Sequence, residues 1–80
     1  MIRIEHSSQQ TGSSEPTVTI YDLAGRLIRE LLYPSSYSSG AWCFMWDGRD
    51  IFNQKLPAGV YFLELAAGDY IAVEKLLLIR

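Results

Sequence analysis

The sequence predicts an all-β protein that folds as a small antiparallel β-sandwich of about six to seven strands. Short segments rich in β-branched and aromatic residues alternate between apolar and polar positions, as strands with one buried face do. Turn residues separate these segments at spacings near the roughly 8–12 residues typical of sandwiches. The chain has 80 residues, which is enough for one domain, and we assign residues 1–80 to that single domain.

Two strands are predicted in the first quarter of the chain. In residues 2–5, isoleucines alternate with charged residues, which is the period of a half-buried strand. Residues 7–14 are polar and serine-rich, so we expect a flexible loop there. Every residue of Thr17–Tyr21 is β-branched or aromatic, and Val18 and Ile20 lie on one side of this strand.

A hairpin turn is predicted at residues 22–25. Gly25 can adopt the positive φ that closes a type I turn with a G1 bulge. The apolar positions of residues 27–33 fit a helix as well as a strand. The hairpin before this segment favours a strand, with a bulge that moves the inward-facing position from Ile28 to Leu31.

The next predicted strand, residues 41–46, is apolar on both faces. It follows residues 34–40, which contain four serines and are interpreted as a loop. One face of the strand is aromatic throughout: Trp42, Phe44 and Trp46. Cys43 and Met45 lie on the other face. Either they meet a neighbouring domain or a second copy, or long neighbouring side chains cover them, and the sequence supports both interpretations equally.

The last part of the chain is predicted to form a hairpin of two strands. Residues 47–57 are an irregular connection with a short strand at residues 55–56. Residues 59–66 and residues 70–79 are the two strands, and residues 67–69 turn the chain between them. We expect one core to contain Val18, Ile20, Phe44, Trp46, Tyr61 and Leu65.

Composition argues against several classes of protein. The net charge is −2, and the arginines are scattered, so no basic patch for nucleic acid is expected. No stretch approaches the roughly 20 apolar residues that span a bilayer. A single cysteine permits no intrachain disulfide. Residues 1–6 do not resemble a secretory signal, so we expect either a cytoplasmic protein or one domain of a larger exported chain, and favour the latter.

Four groups of residues are candidates for chemistry, and each has a simpler structural interpretation. Glu64 and Glu74 could form a carboxylate pair on facing strands, but each is flanked by apolar residues in a polar-out position, which favours a solvated face. Trp46 and Asp47 could stack and bind a sugar, but Trp46 shares the aromatic core face and Asp47 suits a turn cap. Asp47, Asp50 and Asn53 carry oxygen atoms that could bind calcium. They recur every three residues, however, whereas calcium loops place their ligands at alternate positions. His6 is the only histidine, and no Gly-x-Ser-x-Gly motif is present. We therefore predict no catalytic residue, no metal site and no cofactor.

Several short motifs follow one another in a set order along the chain: Ile20-Tyr21-Asp22, Gly25-Arg26, Ile28-Arg29-Glu30-Leu31, Ser39-Gly40, Trp46-Asp47-Gly48-Arg49-Asp50, Gly59-Val60-Tyr61-Phe62 and Glu74-Lys75-Leu76-Leu77-Leu78-Ile79-Arg80. Together they resemble the FlgD-like immunoglobulin-fold domain and the overlapping family of type IX secretion C-terminal sorting domains. The resemblance covers residues 17–80 and also favours a strand at residues 27–33. The opening Pro-Asn-Pro motif is absent, and Asn53-Gln54 replaces a glycine-containing loop.

The resemblance implies an immunoglobulin-like sandwich and a non-catalytic sorting domain of a secreted or cell-surface bacterial protein, recognised by an export machine. In the sorting family, the matching segments form the export signal. The resemblance therefore implies that the export signal of this chain contains Gly59, Tyr61, Lys75, Leu76, Leu77, Leu78, Ile79 and Arg80. The motif residues Tyr21, Asp22, Gly25, Trp46, Asp47 and Gly48 are expected to be structural. The alternative is a structural interaction module, hook-capping-like or accessory to a secreted hydrolase.

The partners implied by the resemblance are proteins. They are the secretion machinery, other domains of the parent chain or a second copy of this chain. Nucleic acid and a membrane span are not expected, and carbohydrate is disfavoured. The expected location is outside the cell or at its surface, as part of a larger protein.

Overall fold

The computed structural model describes residues 2–7 and 15–79, and these residues form seven β-strands and no helix. The strands are β1 (Ile2–Ser7), β2 (Thr17–Tyr21), β3 (Leu27–Leu31), β4 (Ser36–Ser38), β5 (Ala41–Trp46), β6 (Gly59–Ala67) and β7 (Tyr70–Leu78). The predicted all-β class is confirmed. Ser7 ends β1, and the rest of the loop expected at residues 7–14 lies outside the described residues.

The strands form two antiparallel sheets, as in a small immunoglobulin-like sandwich. One sheet has the order β1-β5-β4 and the other β3-β2-β6-β7. The predicted hairpins β2–β3 and β6–β7 both form. Strand β6 also pairs with β2, so β6 is central and β7 lies at an edge of the four-stranded sheet.

Two local predictions need correction. Residues 34–40 are not only a loop, because β4 pairs with β5 within this segment. The Tyr37 ring packs on Trp42 with 4.4 Å between ring centroids, a contact that the serine-rich composition conceals. Residues 55–56 form no strand, since Lys55 makes only an isolated bridge with Arg49.

A bulge in β3 has the predicted effect on which residues face the core. Ile20 pairs with Arg29 and Tyr21 with Leu27, so Ile28 is the additional residue. Ile28 and Leu31 both pack against the core. The strand ends two residues earlier than the predicted position 33.

The core lies between the two sheets and contains all six residues predicted for it. Val18, Ile20 and Trp46 have no exposed surface, and Phe44 has 1%. Along β6, alternate residues from Tyr61 to Ala67 are buried. On the opposite face of β5, Cys43 is also buried while Met45 is partly exposed, which favours intramolecular coverage for Cys43.

Candidate interaction surface

The β2–β3 turn is built around the carboxylate of Asp22. Its Oδ1 accepts hydrogen bonds from the backbone N–H groups of Ala24 and Arg26, both at 2.9 Å, and its Oδ2 pairs with Arg26 Nε at 2.9 Å. The backbone hydrogen bond from Arg26 is the main reason that the pKa of Asp22 lies below its usual value, and the Arg26 guanidinium lowers it further. Gly25 has φ +81°, as the predicted turn requires.

The motif around Trp46 closes one end of the core. Trp46 Nε1 donates a hydrogen bond to the backbone oxygen of Arg49 at 3.0 Å. Asp47 Oδ1 accepts one from the Arg49 N–H at 3.0 Å, and Gly48 has φ +74°. Because Trp46 is fully buried, its ring offers no stacking platform for a sugar.

Arg29, which the sequence did not single out, links the two sheets at this end. Its Nη1 lies 3.2 Å from Asp47 Oδ1 and 3.3 Å from the backbone oxygen of Arg49. The bulge in β3 brings Arg29 to this position, because it places Arg29 opposite the inward-facing Ile20. No composition or spacing signal distinguishes Arg29 from an exposed arginine.

The other polar candidates are parts of turns and strands. Asp50 Oδ1 accepts hydrogen bonds from the N–H groups of Phe52 and Gln54, at 2.9 and 3.0 Å, so this carboxylate holds its own loop. His6 packs beside Tyr70, with 5.5 Å between ring centroids. Across residues 2–7 and 15–79, no three His, Cys, Asp or Glu side chains come together in a way that could hold a metal ion.

Tyr61, which the family resemblance assigns to the export signal, is part of the core. Its ring is 6% exposed and meets Trp46 edge-on, with 6.3 Å between centroids. Its hydroxyl donates a hydrogen bond to the backbone oxygen of Pro57 at 2.8 Å. This arrangement matches the tyrosine corner of immunoglobulin-like folds, in which a tyrosine at the start of a strand binds the backbone just upstream. At the neighbouring Gly59, an added Cβ would meet nothing within 4 Å.

The implied sorting residues on β7 divide between the two faces of the sheet. Leu78 is buried and Leu76 is half-buried, so both belong to the core side. Lys75, Leu77 and Ile79 are exposed on the other side. Arg80 lies outside the described residues.

The side of the four-stranded sheet that faces away from the core is largely apolar at β6 and β7. We call this surface the outer face and define it by the side chains of Thr17, Thr19, Tyr21, Leu27, Glu30, Val60, Phe62, Glu64, Ala66, Ile71, Val73, Lys75, Leu77 and Ile79. Ile71 is 64% exposed, and Val73 and Leu77 are each 62% exposed. A sheet with one solvated face normally carries polar residues there. The apolar outer face is therefore the feature that points most directly to a protein contact.

An open groove of about 430 Å³ lies beside this surface, between the β2–β3 turn and residues 56–60. Its walls are mainly apolar and include Leu23, Ile28 and Leu56, while Asp22 and Arg26 supply the charged atoms. These two charges are paired with each other.

No helix that could cross a membrane occurs within residues 2–7 and 15–79.

Comparison with known proteins gives one match. A family model described as "FlgD Ig-like domain" matches residues 5–70, well over half of the chain. No curated protein matches the chain. No solved structure matches it either.

Proposed function

The chain belongs to the FlgD Ig-like domain family, and from this premise we propose that it is a structural, non-catalytic module that holds neighbouring proteins through its outer face. The observation that carries the proposal is the exposure of Ile71, Val73 and Leu77 in one row along β7. Contiguous apolar surface of this kind on a small domain is typical of a protein contact.

The distribution of charge supports the same role. The side chains of residues 71, 73, 75, 77 and 79 point to the outer face, and Lys75 is the only charged one among these five. A solitary charge in an apolar row can orient a partner while the apolar residues supply most of the contact area. The polar groups elsewhere in the described chain mainly hold turns, as those of Asp22 and Asp50 do.

We further propose that the module acts as part of a larger exported protein, outside the cell or at its surface. This part of the proposal rests on the family to which the chain belongs.

The module role can be tested by site-specific photo-crosslinking in cells that make the full-length parent protein. A photoreactive amino acid would replace Val73 or Leu77 on the outer face, and Phe52 in an equally accessible control position, since Phe52 is 76% exposed. We expect protein adducts from Val73 and Leu77 and few or none from Phe52. Equal adduct yields at all three positions, or none at any, would refute the proposal.

A second candidate function is recognition by a secretion machine. It is favoured by one observation, namely that Lys75, Leu77 and Ile79 are exposed on the edge strand β7, where a receptor could add a strand or grip alternate side chains. In this reading Tyr61 and Gly59 act through folding, because Tyr61 is buried.

The sorting candidate is tested by fusing the chain to a reporter in a host with a type IX system. Reporter is measured in the medium and at the cell surface. We expect export with the wild-type chain and a clear decrease with Lys75→Ala, which leaves the core intact because Lys75 is exposed. No export by the wild-type fusion would refute sorting and leave the structural module as the function.

A further inference from the structure

We propose that the outer face binds the same face of a second copy of this chain about a two-fold axis. The inference rests on the proposed function, since both require a free outer face, and it names the partner. The contact is centred on a square of four side chains, Phe62, Glu64, Val73 and Lys75, all on the side of β6 and β7 opposite the buried Leu63.

The register of the β6–β7 hairpin sets the geometry of this square. Phe62 is opposite Lys75, and Glu64 is opposite Val73. Glu64 and Lys75 therefore occupy one diagonal, with roughly 7–8 Å between their Cα atoms. Phe62 and Val73 occupy the other diagonal.

This arrangement is complementary to itself. Consider a two-fold axis that lies in the plane of the contact, along the diagonal from Phe62 to Val73. Rotation about this axis places Lys75 of each copy against Glu64 of the other, while Phe62 and Val73 each meet their own counterparts. One patch thus supplies both halves of an isologous contact, with two ion pairs flanking an apolar centre.

Both charged groups are free to make this contact. The ion pairs within the described residues are Arg3–Glu5, Arg26–Asp22 and Arg29–Asp47. Neither Glu64 nor Lys75 is paired with any residue that the structure describes. Their charges are therefore satisfied only by solvent in the monomer, and the second copy offers each an opposite charge.

The size of the face indicates a dimer that dissociates on dilution. Strands β6 and β7 have nine residues each, and β2 and β3 have five each. With a strand spacing of about 4.8 Å and a rise of about 3.3 Å per residue, the sheet covers about 450 Å² in projection. Because the diagonal axis makes the strands of the two copies cross, only part of each sheet is covered, so two copies would bury less than about 900 Å², which is in the range of weak and transient contacts.

Pairing of two β7 edges is the competing way to join two copies, and the charges oppose its longest register. The antiparallel register centred on Glu74 overlaps all of β7 but sets the two Glu74 carboxylates opposite each other. The register centred on Lys75 does the same with two ammonium groups. Like charges directly opposite each other destabilise a strand pair, so the charges disfavour both of these registers.

The test is sedimentation equilibrium of the 80-residue chain over a range from about 10 μM to 1 mM, a span that covers weak association. We expect the wild-type chain to approach a dimer at the upper end. Glu64→Lys and Lys75→Glu should each weaken dimerisation by more than about tenfold, because each places like charges together. The double variant carrying both changes should recover the wild-type association.

Lys55→Glu is the matched control, since it changes the net charge by the same amount as Lys75→Glu on an exposed residue outside the outer face. It should leave the association unchanged. A wild-type chain that stays monomeric at 1 mM, single variants that still dimerise, or a double variant that does not recover would each overturn the inference. Photo-crosslinks from Val73 to a different protein, with a monomeric chain, would overturn the dimer but uphold the module role.

Discussion

Replacing Trp46 with alanine should remove a large part of the stability of this domain. Trp46 is fully buried, donates a hydrogen bond to the backbone oxygen of Arg49, and meets the edge of Tyr61. Deleting a buried tryptophan side chain costs about 3–5 kcal/mol. Within that sum, the hydrogen bond contributes about 1 kcal/mol and the aromatic pair about 0.5–1.5 kcal/mol.

This cost is large compared with the stability that a chain of this length can have. At about 0.05–0.15 kcal/mol per residue, the free energy of unfolding is about 4–12 kcal/mol. We therefore expect Trp46→Ala to unfold at a much lower urea concentration than wild type, and Trp46→Phe, which keeps a ring but loses the hydrogen bond, to be destabilised by a smaller amount.

Urea denaturation followed by far-ultraviolet circular dichroism measures these differences without relying on tryptophan fluorescence. Phe52→Ala is the control, because Phe52 is 76% exposed and its loss should change the free energy of unfolding by less than about 0.5 kcal/mol. A free energy of unfolding for Trp46→Ala within about 1 kcal/mol of the wild-type value would show that Trp46 is not a core residue.

Three further predictions concern the turns. Tyr61→Phe should lower the free energy of unfolding by about 1 kcal/mol in urea, because the Pro57 oxygen loses its donor; an unchanged value would mean that this hydrogen bond contributes nothing. Gly25→Ala should cost about 1–2 kcal/mol, since alanine is strained at φ +81°. Asp22→Asn should be less stable than wild type near neutral pH, and thermal melts should show that difference shrinking below about pH 4, because the folded carboxylate has a lowered pKa and its contribution disappears as it is protonated. A pH-independent difference would contradict the carboxylate explanation.

The strands and the core could be predicted from the sequence because the signals are local. Alternation with period 2 identifies the buried face of Thr17–Tyr21, and Ala41–Trp46 has a row of aromatics on one side. Turn chemistry at Gly25 depends on only a few neighbouring residues. All six predicted core residues are buried for this reason.

The candidate surface was predicted only in part. Lys75, Leu77 and Ile79 were named as recognition residues and are exposed. Val73 was not, because β7 has apolar residues at both parities and alternation cannot identify its solvent-facing side. Phe62 and Glu64 lie on β6, where alternation places them away from the core but does not place them beside Val73 and Lys75. Tyr61 was named and is buried, since a tyrosine at the start of a strand can serve either a partner or the core.

The sequence by itself determined where six of the seven described strands lie and which side chains fill the core, because those features depend on residues close together in the chain. Only the tertiary structure decided that β4 pairs with β5, that Arg29 bridges the sheets, and that Glu64 and Lys75 lie on one diagonal of the outer face. Each of these depends on cross-strand register, which is set by the packing of residues distant in sequence.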